Sequence, residues 1–155
     1  MKQFFTTIKN FFICLRYPWL KINSGVYPWL DNRYGAIWID CMPDGWKSRF
    51  GWDLVNDIDA YLHMHQIKDY HIDQVKEKYA ELRWYDNLGL DFYKTVLSKY
   101  IDLSRRTCVY CGKDAKYHSR GYVLPFCEEC MKQSIKDGVY KTFTEITEYD
   151  GRGNF

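Results

Sequence analysis

The stretch Cys108-Val109-Tyr110-Cys111 … Cys127-Glu128-Glu129-Cys130 decides the fold of the C-terminal third of the chain. Two C-x₂-C pairs stand 15 residues apart, a spacing read as a zinc site. Each pair puts two sulfurs a short turn apart, and two pairs complete a tetrahedron of thiolates around one Zn²⁺. Four protein ligands leave no corner for water, so Cys108, Cys111, Cys127 and Cys130 predict a structural ion, not a catalytic one. Gly112 supplies the positive φ that a tight ligand-bearing turn often needs. Ala115 to Phe126 reads as a hairpin with Ser119-Arg120-Gly121 as its turn and Tyr122-Val123-Leu124 as its return strand. Cys127 to Lys136 reads as a short helix stopped by Asp137-Gly138. Knuckle, hairpin, helix is the layout of a treble-clef zinc module. Two disulfides fit less well, because nothing marks the chain as secreted.

Outward from that lobe, 155 residues with 46% hydrophobic content allow one α+β domain with a real core. We divide the chain into an α+β core with an aromatic N-terminal segment (1–104), the zinc module (105–138) and a tail (139–155) able to add an edge strand. Aromatics reach 19%, which suits a small domain that also docks onto something. The net charge of +2 hides an asymmetry. Residues 1 to 30 carry Lys2, Lys9, Arg16 and Lys21 and no acid, the middle is acidic, and the lobe is basic before its thiolates are counted. Cys14 and Cys41 lie in apolar sequence and read as small buried hydrophobes. Reduced thiols plus zinc indicate a cytoplasmic protein.

Lys2 to Arg16 is a helical pattern, with Phe4, Ile8, Phe11, Phe12 and Leu15 as its apolar stripe. It is too short and polar to span a bilayer. Packing on the core or a partner is the favoured reading, and lying on a membrane surface is the alternative. Tyr17-Pro18-Trp19-Leu20 recurs as Tyr27-Pro28-Trp29-Leu30. The copies read as two extended aromatic turns, a protein-docking patch if exposed. Gly35 to Cys41 reads as a strand, Met42 to Gly45 as a turn and Trp46 to His65 as a helix facing inward with Leu54, Val55, Ile58, Tyr61 and Leu62. His63, His65 and His71 are expected on the surface. Ile72 to Lys76 and Leu82 to Tyr85 read as strands joined through Lys78-Tyr79-Ala80, with cross-strand Lys/Glu and Glu/Arg pairs expected. Leu90 to Arg105 is a third helix, with Phe92, Val96, Leu97, Tyr100 and Ile101 inward.

Three landmarks together carry a resemblance: Gly45-Trp46 leading into a helix, Val75-Lys76-Glu77-Lys78-Tyr79 … Leu82-Arg83-Trp84-Tyr85, and the terminal knuckle. They resemble a group of small uncharacterised bacteriophage and prophage proteins in which a Val-Lys-Glu-Lys-Phe-Gly-x-Leu-Arg-Phe-Tyr-like string precedes a four-cysteine zinc knuckle. The resemblance covers about residues 40 to 132, with Ala80 where that pattern has Gly. It implies phage origin and the bacterial host cytoplasm, and no established activity. Cys108-Val109-Tyr110-Cys111-Gly112-Lys113 also resembles the opening of HNH endonucleases. Their general-base His stands beside an acid, whereas His118 here is followed by Ser119, and no Asn-x₈-His pattern follows Cys130, so the activity does not carry over.

Three functions compete. The first is a non-enzymatic protein that binds a host or defence factor, or a second copy of itself, through Tyr17, Trp19, Tyr27, Trp29, Lys76, Lys78, Arg83 and Trp84, and so modulates or inhibits it. The second is a nucleic-acid module using Arg105, Arg106, Lys113, Lys116 and Arg120, with Tyr110, Tyr117 or Tyr122 stacking on bases. The third is an enzyme built on Lys76, Glu77, Glu81 and Arg83 with His71. No phosphate loop, Ser/His/Asp set or open metal site supports the last, and the first is preferred.

Overall fold

A computed structural model describes residues 2–22 and 35–146, with the backbone alone for 2–5. Three helices form the core. Helix α1 is Lys2–Arg16. Helix α2 opens at Asp44–Trp46, widens through a π turn at Lys47–Gly51 and continues as Trp52–Met64. Helix α3 repeats that plan, with Leu90–Phe92, a π turn at Tyr93–Leu97, then Ser98–Arg105. The inward faces are the expected ones: Leu54, Val55, Ile58, Tyr61 and Leu62 on α2, and Phe92, Val96, Leu97, Tyr100 and Ile101 on α3 are all buried.

The strands β1 (Ile72–Lys78) and β2 (Glu81–Asp86) form an antiparallel hairpin. Its two-residue turn, Tyr79-Ala80, has φ of 56° and 62°. Two left-handed residues are what a tight hairpin matched to strand twist demands, so Ala80 adopts the conformation that favours glycine. The buried face carries Val75, Leu82 and Trp84. Ser104 ties α3 to β2, its buried hydroxyl accepting from Leu82 N at 2.9 Å. Arg105 adds two bonds to Glu81 Oε2, at 2.9 and 2.6 Å.

A second sheet, ordered β4-β3-β5, belongs to the lobe, with β3 at Tyr117–Ser119, β4 at Pro125–Phe126 and β5 at Phe143–Glu145. Helix α4, Glu128–Lys136, follows β4. The tail strand forms as expected. The fold is α+β, with helices, small antiparallel sheets and a cysteine-bearing C-terminal lobe.

Four local expectations are corrected. Ile37-Trp38-Ile39 is not a strand: Trp38–Cys41 is a 3₁₀ turn, closed by the Asp40 carboxylate accepting from Ile37 N at 3.1 Å. Asp44-Gly45 is the first turn of α2 rather than a free turn. The return strand of the lobe hairpin is Pro125–Phe126, not Tyr122 to Leu124, because the Ser119 hydroxyl takes Leu124 N (3.0 Å) and donates to Tyr122 O (2.7 Å). The first aromatic copy is compact: Pro18–Leu20 is a 3₁₀ turn with Leu20 fully buried. The second copy, with Tyr27 and Trp29, lies outside the described residues.

The stripe of α1 is the largest surprise. Ile8, Phe11, Phe12 and Leu15 are 41, 40, 63 and 63% exposed, while Asn10 and Cys14 are buried. The helix packs through its other side.

Candidate metal centre

Cys108, Cys111, Cys127 and Cys130 converge. Their sulfurs all lie within 4.8 Å of one another, and Cys111 Sγ stands 3.5 Å from Cys127 Sγ. A tetrahedral Zn–S₄ centre has sulfurs about 3.8 Å apart, so the spread fits a single ion. Among the described residues this is the one group of three or more potential metal ligands.

Each ligand is placed by local backbone. Cys108 N donates to Lys113 O (2.8 Å) and Gly112 N to Cys108 O (3.0 Å), which closes the first knuckle, with Gly112 at φ +76°. Cys127 caps α4, its sulfur accepting from Cys130 N at 3.5 Å. The cap and the helix dipole both favour thiolate there. Under the knuckle, Phe126 is fully buried, and its ring meets those of Tyr110, Tyr140 and Phe143 at 5.3, 5.6 and 5.1 Å.

Burial pushes the Cys108 thiol up, but N–H groups at Cys127, Cys111 and Tyr110 outweigh it and hold the thiol below its ordinary range. Burial pushes Cys111 and Cys130 up, and neighbouring thiols add to the rise at Cys130. One sulfur is prepared to ionise and its neighbours resist doing so beside it. A cation of charge +2 removes that conflict.

The start of α2 clamps the centre. Gly45 N donates to Val109 O at 2.8 Å and Trp46 Nε1 to Thr107 O at 2.8 Å. A Cβ on Gly45 would stand 2.1 Å from Cys108 O and 2.7 Å from Gly112 N. Arg49 reaches Asp114 at 3.1 Å. Sequence reasoning singled out Gly45-Trp46 as a landmark but missed this contact. A glycine beside a tryptophan at a helix start was the available signal.

No protein-family model, curated protein or solved structure matches this chain. Trp84 is 7% exposed and donates from Nε1 to the Tyr70 hydroxyl at 3.0 Å, so it is core and not a docking residue. Trp19 is half-buried with its ring 5.5 Å from that of Tyr70, and Tyr17 is half-buried beside it. Lys76, Lys78 and Arg83 stand on the outer face of the hairpin, but their pairing differs from the alternation expected. Lys78 opposes Glu81, whereas Lys76 directly opposes Arg83.

Glu77 lies on the inner face, opposite Leu82, and accepts from Ala80 N and the Tyr122 hydroxyl, both at 2.8 Å. The strand pleat thus separates Glu77 from Lys76, Glu81 and Arg83. His71 faces Asp73 at 3.7 Å instead of that cluster. His63, His65 and His71 are all exposed, as expected. Of the proposed phosphate contacts, Arg105 is engaged by Glu81 and Asp102, Lys113 by Glu129 at 2.6 Å, and Arg120 by the Thr144 hydroxyl. Cys14 is buried and Cys41 half-buried, and burial lifts Cys41, with Asp40 adding to it, to about 11.

Proposed function

We propose that the chain is a zinc-stapled, non-catalytic binding protein whose outer β1–β2 face docks an acidic protein surface. The observation that carries this reading is the Lys76–Arg83 pair. Like charges directly across a ladder destabilise a hairpin, and here they stand beside Lys78 and the exposed rings of Tyr79 and Tyr85. Lys76 lies 5.5 Å from the Tyr85 ring centroid, and Lys78 lies 5.4 Å from that of Tyr79. Glu81 offsets part of this charge, bonding Arg83 at 2.9 Å, and the cations and tyrosines left on the face fit an acidic partner better than bulk solvent.

Zinc is the metal that four thiolates at this spacing select, in a treble-clef-like module, and a site of free thiolates suits a reducing compartment. The resemblance to phage proteins supports a bacterial host or defence factor as partner, with the chain acting as its modulator or inhibitor. The nucleic-acid reading is weaker, because Glu128 and Glu129 stand between the second pair of cysteines, beside the cations it would use.

The test uses the full chain. One zinc per chain is expected on metal analysis. Partners captured from bacterial lysate by the wild type are expected to be lost by Lys76→Glu with Arg83→Glu, at unchanged zinc content and circular dichroism. Retention of every partner by that double variant discards this face, and salt-sensitive capture of nucleic acid alone favours the second reading.

A further inference from the structure

We propose that α1 and the cleft at its C-terminal end form a docking site for an anionic lipid surface. Two features of the molecule meet there. The first is the exposed stripe of Ile8, Phe11, Phe12 and Leu15, at helical spacing along one side of a 15-residue helix. Four large apolar side chains in one row are a contiguous patch rather than scattered surface hydrophobics. The same segment is cationic throughout, since residues 1 to 30 contain four basic residues and no acid. An apolar face with basic flanks is the composition of a helix that lies in the plane of a bilayer interface. No helix among the described residues is long and apolar enough to cross a membrane, so the helix lies on the surface.

The second feature is a cleft of about 450 Å³ between the end of α1, the Pro18–Leu20 turn and the C-terminal end of α2. Trp19, Trp38, Leu62 and Tyr70 line it, together with Arg16, Lys21, Lys68, His63 and His71. Asp59 is the one acid in the lining. Its carboxylate binds Arg16 at 2.8 Å and lies 3.6 Å from His63, and three basic residues, Arg16, Lys21 and Lys68, stand against this one acid in the lining. Trp19 holds a buried Nε1–H without an acceptor. An indole N–H only donates, and a buried donor left unmade costs about 1–3 kcal/mol. Trp19 lines the cleft, so its indole reports on what enters there.

Leu15 and Arg16 belong to both features. Tryptophan indoles and basic side chains are most stable at headgroup depth, and the cleft next to the stripe carries both. A protein groove would need an apolar partner that also brings acids, whereas a bilayer containing anionic lipid offers both at once.

The experiment is co-sedimentation of the full zinc-loaded chain with vesicles of phosphatidylcholine, with and without phosphatidylglycerol. Binding is expected only with phosphatidylglycerol, and it is expected to weaken as salt rises. Phe12→Asp with Leu15→Asp is expected to abolish it. Lys21→Glu with Lys68→Glu is expected to lower the partition coefficient by about tenfold or more. All four positions are exposed, and zinc content and circular dichroism report that the variants fold. The Trp19 indole N–H resonance is expected to shift with phosphatidylglycerol bicelles but not with phosphatidylcholine bicelles. Equal binding to both vesicle types overturns the role of the cleft. The same indole shift with inorganic phosphate, without vesicle binding, means a free-anion site and overturns the lipid. Concentration-dependent dimerisation lost in Phe12→Asp, again without vesicle binding, means that a second copy covers the stripe. Capture of a protein through the stripe, with vesicles unbound, gives the face to a protein partner.

Discussion

The helical core and the metal lobe touch at Gly45 and Trp46, yet different forces hold them. The core buries Leu54, Val55, Ile58, Phe50 and Phe92 almost completely, from helices far apart in sequence. Burial of that kind stabilises by about 1.5–3 kcal/mol per side chain. The lobe has one fully buried large side chain, Phe126, among three short strands and a nine-residue helix. Such a set of elements is below the size at which apolar burial alone closes a fold, and natural solutions add a metal. The difference is one of what can be lost. A core loses stability by increments as side chains are trimmed, whereas the lobe depends on one ligand set.

Metal removal gives the largest expected effect. Structural zinc contributes on the order of 10–16 kcal/mol in small zinc modules. Chelation, or Cys127→Ser, is expected to unfold residues 107–140, seen as loss of amide-exchange protection there, while α3 keeps most of its protection. Leu54→Ala is the matched control, expected to cost about 2–5 kcal/mol globally and to leave the metal affinity of the native state unchanged. A chain that loses α3 protection as fast as the lobe on chelation would show that the two regions are one cooperative unit.

A smaller and sharper effect is expected at the junction. Gly45→Ala puts a methyl within 2.1 Å of Cys108 O, against backbone that cannot swing aside. Overpacking of this sort costs about 1–3 kcal/mol, occasionally more. Unlike Leu54→Ala, it is expected to lower stability and zinc affinity together, because the displaced atoms belong to the ligand-bearing turn. Competition with a chromogenic chelator measures the affinity. An unchanged affinity would mean that the knuckle tolerates losing its clamp.

The two regions also differ in how well the sequence foretold them. Cysteine spacing carries a distance constraint, and all four ligands came together. The long periodic helices were equally legible, since Phe92, Val96, Leu97, Tyr100 and Ile101 all turn inward. What failed was orientation and short range. Periodicity announces that α1 is a helix but not which neighbour it meets, so its stripe was read as packing on the core or a partner, and the core is not what it meets. A three-residue apolar run such as Ile37 to Ile39 satisfies a strand and a buried 3₁₀ turn alike, and Asp40 decided between them. Trp84 looked like a docking ring because its neighbours are charged, yet strand alternation places it with Val75 and Leu82. The like-charge pair came from register, which no local pattern states.

Acidity separates the two regions by sign. Protons compete with metal for thiolates, so the lobe is expected to lose its ion and its fold as pH falls. Around the hairpin the trend reverses. Burial raises Asp86 to about 6 from an ordinary 3.8, with Asp73 adding to the rise, while its bond to Leu88 N and the nearby His71 pull it back. The folded state therefore binds more protons than the unfolded state between those two values, and stability falls as pH rises through that window. At neutral pH the ionised carboxylate costs about 1 kcal/mol, allowing for solvent screening of a group that is only partly buried. Asp86→Asn keeps an acceptor for Leu88 N, so it is expected to stabilise the core by about that amount at pH 7 and by nothing near pH 3.5. Urea denaturation of α2 and α3 at the two pH values measures it. An equal gain at both values would assign the effect to packing, and the two regions would then no longer differ in their response to protons.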